Sequence, residues 1–501
     1  MEVKRFRNHF SSVIEQFGAA FVVVIAVILE SLDSFVDLIA DIINSEEVKI
    51  GGEALGALMI LCIFTVLVIV FTIWRFWVWS KTWIVIDEDT LTVEKNTLNS
   101  AKNTIGLKNI SNVNTEQNIF EMLIGTCKVK LDTNSLSTAN STDVKIILKK
   151  KQAEALRAYL IKRINEINHG IAENETISDF EDSDYDIKAD LKDILLNGIY
   201  SINVFGIIMF LGSFGFMVVG IMELIEEGVG AESLTGIFGG ILAAFLIAIT
   251  TLYGLISGFV KLYGFMIKRE EDRIYIKYGL FKRVNYAIPI DKINAVIIHQ
   301  TLIARIFHKY TAEIVNVGMD DEKDSTAYFT FYSSKEKMMD VIEKIIPEFS
   351  EAVGIQINRQ PKSVWIMKIM MVLWIELFFA IGVGISVYVF DMPLWLWAVF
   401  VLAAAVIQII YAAMSYITVG SSIQKNYLGL KSGAFGTHYT IIKFDKVQYV
   451  SFQQNIITKK LGIIKGRVNI LASLGKMMHS IPYIPVERCE QIEKELADWR
   501  T

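Results

Sequence analysis

Six stretches of mostly apolar residues recur along the chain, and each is long enough to cross a bilayer, whose core of about 30 Å needs about 20 helical residues. The stretches are residues 10–29, 55–79, 194–224, 234–262, 365–388 and 394–416. Residues 55–73 contain no charged side chain, which is atypical of a helix in a soluble core. A cleaved signal peptide is not indicated, because no small-residue cleavage site follows Leu29. The pattern therefore predicts six transmembrane helices.

Short links join the six spans in pairs, which predicts three helical hairpins. The links form the hairpin tips and are acidic: residues 30–54 carry seven acids and one lysine, and residues 223–233 carry four acids and no base. Lys and Arg residues flank the opposite ends of the spans. Because such residues collect on the cytoplasmic side, we expect a multi-pass protein of the cell membrane with outward-facing tips and both termini cytoplasmic.

Three soluble segments, residues 81–170, 263–350 and 417–501, share a sequence pattern. Each contains Ile or Val, then Val three residues later, then Gln, then Ile or Leu two residues after the Gln. The repeated glutamines are Gln117, Gln300 and Gln454, separated by 183 and 154 residues. They are either structural groups that bond loop backbone at a strand end or part of a binding site, and the structural interpretation is favoured.

Within each segment, alternating apolar residues such as Ile84-x-Ile86 and Ile274-x-Ile276 predict strands, and a helical pattern closes the segment. Asn96, Gly279 and Gly433 occupy equivalent positions upstream and are predicted to adopt positive φ in a hairpin turn. The predicted fold class is membrane α-helical hairpins plus α+β. Each hairpin is followed by a bent antiparallel sheet with a C-terminal helix.

Residues 273–283 read Arg-Ile-Tyr-Ile-Lys-Tyr-Gly-Leu-Phe-Lys-Arg, and residues 288–296 read Ile-Pro-Ile-Asp-Lys-Ile-Asn-Ala-Val. This segment resembles the bacterial pleckstrin-homology-like (PH-like) domain that follows membrane hairpins. Residues 454–462, Gln-Asn-Ile-Ile-Thr-Lys-Lys-Leu-Gly, are similar to the same domain. Three copies suggest the large, three-copy form of this membrane protein family. The resemblance implies a PH-like fold, a membrane setting and a smaller paired family member, and it implies no established reaction.

The organisation expected from these patterns has eight parts. They are hairpin one (1–80), PH-like domain one, which is degenerate (81–170), an acidic linker (171–193), hairpin two (194–262), PH-like domain two (263–350), a linker (351–363), hairpin three (364–416) and PH-like domain three (417–501).

Composition narrows the range of functions. The 501 residues are 53% hydrophobic with a net charge of −5, which argues against a nucleic-acid binder. The three cysteines are far apart and the six histidines do not cluster at ligand spacing. No phosphate-binding loop, nucleophile elbow or zinc-protease motif occurs. We therefore expect no catalytic residues, no cofactor and no metal.

Two polar residues lie inside the third hairpin. Glu376 and Gln408 are predicted at depths of about 16 and 12 Å from the cytoplasmic edge, close enough to bond across the hairpin. An ionisable group near the midplane is a functional hypothesis by default. The rival interpretation, which a single Glu without a relay favours, is a protonated Glu that holds two helices together.

Small residues recur at four-residue spacing in the fourth span, at Gly236, Gly240, Ala244 and Ala248. Such ridges let helices approach closely, so we expect a packed bundle or a hetero-oligomer contact along this face. The alternative is that small residues are simply common in membrane helices.

The best candidate for anionic-lipid contact is a basic group in the third soluble segment, because phosphorylated headgroups require several Lys or Arg. It consists of Lys459, Lys460, Lys465 and Arg467. A solvated basic surface is the favoured alternative.

The function expected from the sequence is a non-enzymatic membrane scaffold, whose PH-like domains mediate protein–protein or membrane-surface contacts. The resemblance adds a setting in envelope stress or antimicrobial-peptide resistance. The expected partners are the lipid bilayer and a smaller membrane PH-like protein of the same family. A homo-oligomer is left open, and nucleic acid is not expected. The alternative function is a transporter or efflux component, which predicts several polar groups at a cavity.

Overall fold

The computed structural model describes residues 4–15, 52–133, 144–169, 184–202, 204–226, 230–316, 327–354, 356–389, 393–424, 426–472 and 476–500. The chain divides into two compact units: Met1–Leu131 with Asp143–Ser178, and Asp132–Thr142 with Asp179–Thr501. We call the three soluble segments modules one, two and three. Module one belongs to the first unit, and modules two and three belong to the second.

The first unit combines an apolar helix with two antiparallel sets of strands. Its helices are α1 (Ser11–Glu15), α2 (Gly52–Ser80), α3 (Ile119–Ile124) and α4 (Lys150–His169). Its strands are β1 (Lys4–Phe6), β2 (Thr82–Ile86), β3 (Thr90–Lys95), β4 (Ala101–Gly106), β5 (Ile110–Gln117), β6 (Thr126–Thr133) and β7 (Val144–Lys149). One sheet has the order β1–β2–β3–β4, and β5, β6 and β7 run side by side. Buried Ile84, Ile86 and Leu91 confirm the predicted alternation.

The second unit contains three long apolar helices and the strands of modules two and three. Its helices are α5 (Leu191–Tyr200), α6 (Val204–Glu226), α7 (Ala231–Leu262), α8 (Leu302–Ile306), α9 (Lys335–Ile345), α10 (Ser350–Val353), α11 (Val364–Val389), α12 (Leu394–Thr418), α13 (Ile456–Lys460) and α14 (Val486–Arg500). The strands of module two are β8 (Ile187–Lys188), β9 (Met266–Glu270), β10 (Arg273–Tyr278), β11 (Arg283–Pro289), β12 (Ala295–Gln300), β13 (Thr311–Val315) and β14 (Ala327–Tyr328). The strands of module three are β15 (Asn358–Arg359), β16 (Gly420–Ile423), β17 (Tyr427–Ser432), β18 (Thr437–Lys443), β19 (Val447–Gln453), β20 (Ile463–Ile470) and β21 (Met478–Pro485).

Strands from modules two and three form one continuous seven-stranded sheet, in the order β14–β13–β12–β18–β17–β16–β15. Strands β8, β9, β10 and β11 are hydrogen-bonded side by side in that order. Strands β19, β20 and β21 make a three-stranded sheet. All the described strand pairs are antiparallel, both those joined by short turns and the β12–β18 pair between modules.

The hydrophobic core of module two contains residues of module three, and the core of module three contains residues of module two. Tyr439 and Ile441 of module three are buried in the core of module two. Conversely, Ala295 and Ile297 of module two are buried in the core of module three. Because burial of one Ile contributes about 1.5–3 kcal/mol, each module stabilises the other.

Three described helices are long and apolar enough to cross a membrane: Leu234–Leu262, Val364–Val389 and Trp397–Thr418. The predicted second and third spans correspond to shorter apolar runs, Val66–Ser80 and Met209–Met222. Most of the predicted first span, residues 10–29, lies outside the described residues. The structure therefore supplies three of the six predicted spans.

The predicted third span, residues 194–224, was wrong at its start. Helix α5 ends at Tyr200, and the Ser201 N–H donates back to the Asn197 carbonyl at 3.0 Å before α6 begins. The Asn197 side chain accepts from the Tyr332 N–H of module two at 3.4 Å. These polar contacts divide the apolar run, and α5 is attached to module two.

A short strand precedes each hairpin and pairs with the first strand that follows it. These pairs are β1 with β2, β8 with β9, and β15 with β16. The predicted linkers 171–193 and 351–363 therefore end in sheet structure, although residues 171–183 lie outside the described part. Each module begins before its hairpin.

The predicted turn conformation is confirmed at two of three positions. Gly279 and Gly433 have φ of 110° and 107°, and a Cβ at either would collide with the carbonyl of Lys282 or Gly436. The expectation for Asn96 was wrong, since Glu271 and His308 are the described non-glycine residues at positive φ. In module one, Thr97 Oγ1 donates to the Asn99 carbonyl at 2.9 Å and holds a different turn.

Candidate functional site

Modules two and three meet at a strand junction, which we define as the pairing of β12 with β18 and the side chains beside it. Six residue pairs stand in register, from Ala295 opposite Ile442 to Gln300 opposite Thr437. Antiparallel pairing through main-chain groups gives affinity, and the alternating side chains give specificity. The junction shows that one module of this chain can bind another by its edge strand.

Polar side chains reinforce the strand junction at both ends. At one end, the Arg305 guanidinium donates to the Ala434 carbonyl at 2.6 Å and to Thr418 Oγ1 at 3.2 Å. At the other end, Asn294 Nδ2 donates to the Leu471 carbonyl at 2.5 Å. Charge-assisted bonds of the Arg305 kind are about twice as strong as neutral ones, so Arg305 anchors the turn that precedes β18.

A group of titratable side chains lies across the same junction. His299 Nδ1 is 2.6 Å from His438 Nδ1, and His299 Nε2 is 2.7 Å from Glu313 Oε1. Lys476 Nζ is 3.3 Å from Glu313 Oε2. Burial opposes ionisation of Glu313, but the hydrogen bond and charge of His299 and the charge of Lys476 outweigh it and lower the Glu313 pKa. Burial, with the neighbouring charge of His299, lowers the pKa of His438.

These groups do not form a metal site: among the described residues, no three His, Cys, Asp or Glu side chains are arranged to hold a metal ion. Because only an imidazole nitrogen without a proton can accept a hydrogen bond, at most one of the two Nδ1 atoms carries a proton in this contact. The arrangement is therefore a proton-sensitive contact between two modules.

The three repeated glutamines make the same contact in separate modules. The Nε2 of Gln117, Gln300 and Gln454 donates to the carbonyl nine residues later, at 2.7, 3.1 and 3.0 Å respectively. The residue after each Gln caps a short helix, α3, α8 or α13. Each Gln thus fastens its short helix to the strand that follows. Gln300 alone of the three is also bonded across the strand junction, accepting from Thr437 Oγ1 at 3.2 Å.

The residue that ends each repeated turn adopts the left-handed conformation. Gly125 and Gly462 have φ of 76° and 65°, and His308, at the equivalent position, has φ of 52°. His308 therefore keeps the backbone geometry of the repeat although its residue type breaks the pattern. No metal-ligand contact of His308 is described.

The turns and short helices of the second unit form a rim beside the membrane-spanning helices. Leu280 N–H donates to the carbonyl of Val260 in α7 at 3.0 Å, and the Phe435 ring lies 6.1 Å from that of Tyr411 in α12. Large apolar side chains are exposed on this rim, with Phe281 at 53% and Ile306 at 63%. A row of exposed apolar groups at the ends of spanning helices is suited to the membrane interface.

The two intramembrane polar residues are brought together. Gln408 Nε2 donates to Glu376 Oε2 at 2.6 Å, across α11 and α12. Trp397 Nε1 donates to the Ala380 carbonyl at 2.8 Å, and Lys368 Nζ to Ser415 Oγ at 2.6 Å. Hydrogen bonds between membrane helices are each worth about 0.6–2 kcal/mol, so these three contacts stabilise hairpin three along its length.

The row of small residues on α7 packs tightly against α6 at Gly240. A Cβ at Gly240 would lie 2.7 Å from the Ser213 carbonyl and 2.8 Å from Met217 N. Gly236 and Ala244 are partly buried on the same side, whereas Ala248 is exposed. Gly240 therefore packs within hairpin two.

The basic group of module three is solvent-exposed. Lys459 and Lys460 end α13, while Lys465 and Arg467 project from the same face of β20. All four are exposed, and Lys465 Nζ lies 5.9 Å from the Tyr483 ring. Among the described contacts, none of the four is paired with a carboxylate.

Module one contains a cavity of about 440 Å³ between its sheets. Val93 of β3 and Asn103 of β4 form part of one wall, and Arg75 and Trp79 of α2 also line the cavity. Lys128 stands at the opposite wall, 3.0 Å from Glu15. The cavity has both apolar and polar side chains in its lining, and it reaches Asn103 of the outer strand β4.

The strand junction and its histidines were missed by sequence reasoning. The paired residues His299 and His438 are 139 positions apart, and no local pattern links them. The equivalent Gln and turn positions predicted the repeat, but they did not predict which strands of its copies pair with each other.

Comparison with known proteins supports this architecture. The family described as Bacterial PH domain matches residues 22–164, 209–346 and 372–499. The chain is 19% identical to the UPF0699 transmembrane protein YdbT of Bacillus subtilis (strain 168) over 404 residues, covering 76% of this chain and 78% of that protein. No solved structure matches the chain. With three matched segments that together span most of its length, each carrying strands and a closing helix, the chain belongs to the bacterial PH domain family.

Proposed function

We propose that the protein is a non-enzymatic integral membrane scaffold, whose PH-like modules mediate protein–protein or membrane-surface contacts. The observation that carries this proposal is the strand junction, where β12 of one module pairs with β18 of the next and each core takes residues from the other. A module that binds its neighbour in this way is equipped to bind further PH-like modules.

The rim supports the membrane-surface part of the proposal. Phe281, Ile306 and Phe435 lie beside the ends of α7 and α12, where a bilayer crossed by these helices would have its interface. Lys459 and Lys460 end the equivalent short helix in module three, and their exposed ammonium groups suit an anionic lipid surface. We include anionic-lipid contact by Lys459, Lys460, Lys465 and Arg467 in the proposal.

A fluorophore on the rim tests membrane contact. In vesicles containing phosphatidylglycerol, Phe281→Cys labelled with an environment-sensitive dye is expected to emit at shorter wavelength than Met478→Cys labelled with the same dye. Met478→Cys, on an exposed strand away from the rim, is the matched control, because Met478 is 60% exposed. Equal emission from the two labelled variants would contradict the membrane-surface role.

The proposed topology places both termini and all three modules in the cytoplasm. Its support is the Lys and Arg bias at the span ends, together with the pairing of β8 with β9 and of β15 with β16, which holds the two ends of a hairpin together. The proposed partner is a smaller membrane PH-like protein of the same family. The proposed setting is envelope stress or resistance to membrane-active peptides.

Affinity purification in mild detergent tests the scaffold function. We expect a small membrane protein with a PH-like module to co-purify in fixed stoichiometry. Liposomes that contain the purified protein alone test the alternative, a transporter or efflux component. Solute flux in those liposomes would overturn the scaffold proposal.

One intramembrane observation bears on the transporter alternative. Glu376 is hydrogen-bonded to Gln408 at 2.6 Å, which supports a role in holding the hairpin together. Glu376→Gln preserves a hydrogen bond to Gln408 but removes the ionisable group. If the protein is a scaffold, the complex with its partner and the resistance to membrane-active peptides should survive this change. Loss of that resistance while the hairpin still folds would favour a proton-coupled function.

A further inference from the structure

Strand β19 lies at the edge of its sheet, and no strand pairs with that edge in the described part of the chain. In the repeat, β19 of module three is equivalent to β12 of module two, which β18 covers. The difference shows in burial: Ala295 of β12 is 0% exposed, while the equivalent Tyr449 is 56% exposed. Val450 and Phe452 are only partly buried against the module-three core.

Strand β4 is the outer strand of its own sheet, β1–β2–β3–β4. It is equivalent in the repeat to β18, the strand that covers β12. Residues 101–104 of β4 are exposed. One chain therefore carries both halves of a second strand junction, with the β12-like half in module three and the β18-like half in module one.

The cavity of module one lies where such a junction would place side chains. In module three, Thr440 of β18 is opposite Ile297 of β12, and Ile297 is buried in the module-three core. The residue equivalent to Thr440 is Asn103, which lines the cavity of about 440 Å³. Side chains of β12 fill this part of the core in module three, whereas module one has a cavity at the equivalent place.

We propose that β19 of one molecule pairs antiparallel with β4 of a second copy, in the register that joins β12 to β18, and that its side chains close the cavity of module one. Tyr449 then stands opposite Ile105, and Ser451 opposite Asn103. This inference rests on the proposed scaffold function, since it names the partner and the surface for one protein contact.

Side chains beside the two strands fit the proposed pairing. Lys459 is equivalent to Arg305, which donates to the Ala434 carbonyl in the existing junction. Lys459 of one molecule therefore reaches the carbonyls of the turn that precedes β4 in the second. Because β19 and β4 are different surfaces, the contact is head-to-tail, and its repetition gives chains or closed rings in the plane of the membrane.

Disulfide trapping tests the register. One tagged copy carries Tyr449→Cys and a second, differently tagged copy carries Ile105→Cys, and both are co-expressed and oxidised in native membranes. Opposed residues of antiparallel strands have Cα atoms about 4.5–5.5 Å apart, within disulfide range. We expect a disulfide-linked dimer carrying both tags.

Two controls show whether disulfides form under these conditions and whether the cross-link is specific for the register. His299→Cys with His438→Cys in one chain is the positive control, because these residues face each other in the existing junction. Gln453→Cys with Ile105→Cys is the out-of-register control, since four residues along a strand separate the pair by about 13 Å. Failure of the Tyr449–Ile105 cross-link while the positive control forms would overturn the proposal, as would equal yield from the out-of-register pair.

The masses of the cross-linked species identify the occupant of β19. A disulfide within a single chain, or one that joins Tyr449→Cys to a different protein, would overturn the assignment to a second copy.

Two further variants test the edge without cysteines. Tyr449→Lys places a charge in the proposed contact and is expected to lower the association constant of the dimer about tenfold or more, which corresponds to about 1.4 kcal/mol. Met478→Lys, at 60% exposure on the other outer strand of the sheet, is expected to leave it unchanged. Loss of the dimer in both variants, or in neither, would contradict the proposal.

A difference between the turns allows a gain-of-contact test. A Cβ at Gly436 would lie 2.9 Å from the Gln300 carbonyl, so glycine suits the existing junction. The equivalent residue before β4 is Asn99. Asn99→Gly should therefore raise the yield of the Tyr449–Ile105 cross-link, and a lower yield would count against the register.

This experiment separates the two proposals. If the cross-link fails but a small PH-like partner still co-purifies, the second-copy junction is wrong and the scaffold function stands. If the protein alone transports solute in liposomes, the scaffold function is wrong whatever the state of β19.

Discussion

His299 and His438 face each other across the strand junction, with their Nδ1 atoms 2.6 Å apart. That distance requires at least one unprotonated nitrogen. When both rings carry two N–H groups, the contact becomes repulsive, so modules two and three are joined by a contact that responds to protons.

We predict that the strand junction weakens as the pH falls below about 6.5, the ordinary histidine pKa. Burial lowers the pKa of His438 in the folded protein, so the unfolded state binds more protons and stability rises with pH. Burial lowers the pKa of His479 in the same direction. The other facing charges are His299, Glu313 and Lys476, and the lowered pKa of Glu313 confines its own titration to more acidic pH.

Hydrogen exchange of the β12 and β18 amides at pH 7.5 and 5.5, corrected for intrinsic rates, measures this effect. His438→Gln should make the protection of these amides nearly independent of pH, whereas His479→Gln should leave most of the pH dependence. A junction equally protected at both pH values in the unmodified protein would show that the histidine pair does not control it.

Replacement of the repeated glutamines should have unequal effects. Gln300→Ala removes two bonds from a residue that is 9% exposed, which should cost about 1–3 kcal/mol. Gln454→Ala removes one bond at an exposed position and should cost about 1 kcal/mol or less. Thermal unfolding in detergent compares the two variants, and a larger loss for Gln454→Ala would refute the structural assignment.

His308→Gly should stabilise module two. His308 has φ of 52°, a conformation that costs an L-residue about 1 kcal/mol and glycine very little. Gly462→Ala, at the equivalent position with φ of 65°, should destabilise module three. Thermal midpoints measured in the same detergent provide the check, and a destabilised His308→Gly variant would indicate that the imidazole makes a needed contact.

Gly240→Ala should loosen or shift the contact between α6 and α7. The added Cβ would meet the Ser213 carbonyl at 2.7 Å, and backbone on both sides leaves little room for adjustment. Gly239→Ala is the matched control, because nothing lies within 4 Å of its Cβ. The measurement is resistance of the detergent-solubilised protein to heat-induced aggregation, and equal behaviour of the two variants would disprove the tight packing.

The elements that follow from local pattern were predictable from the sequence. The three repeats, the strands around Ile84 and Ile274, the turns at Gly279 and Gly433 and the family resemblance all rest on short-range periodicity or on residue type. The proximity of Glu376 and Gln408 also followed from helix geometry alone, because their depths differ by only a few residues along two antiparallel helices.

Contacts between distant segments could not be predicted in the same way. The register of β12 against β18 depends on how two modules pack, and neither strand differs in composition from an ordinary inner strand. The end of α5 at Tyr200 was missed because the apolar residues around Ile194 suit a membrane helix and a helix packed on a module equally well. The bond from the Ser201 N–H at the end of α5 and the contact of Asn197 with Tyr332 show that α5 packs on module two.

The short strands before the hairpins have a consequence for biogenesis. Strand β8 is made before hairpin two, and its partner β9 is made after it, so the pair can close only when both strands lie on the same side of the bilayer. A hairpin that inserted one helix and left the other behind would separate β8 from β9 by the full thickness of the membrane. In the proposed topology, each module can therefore complete its sheet only after its hairpin has inserted correctly, and folding of the soluble part would then depend on correct insertion of the membrane part.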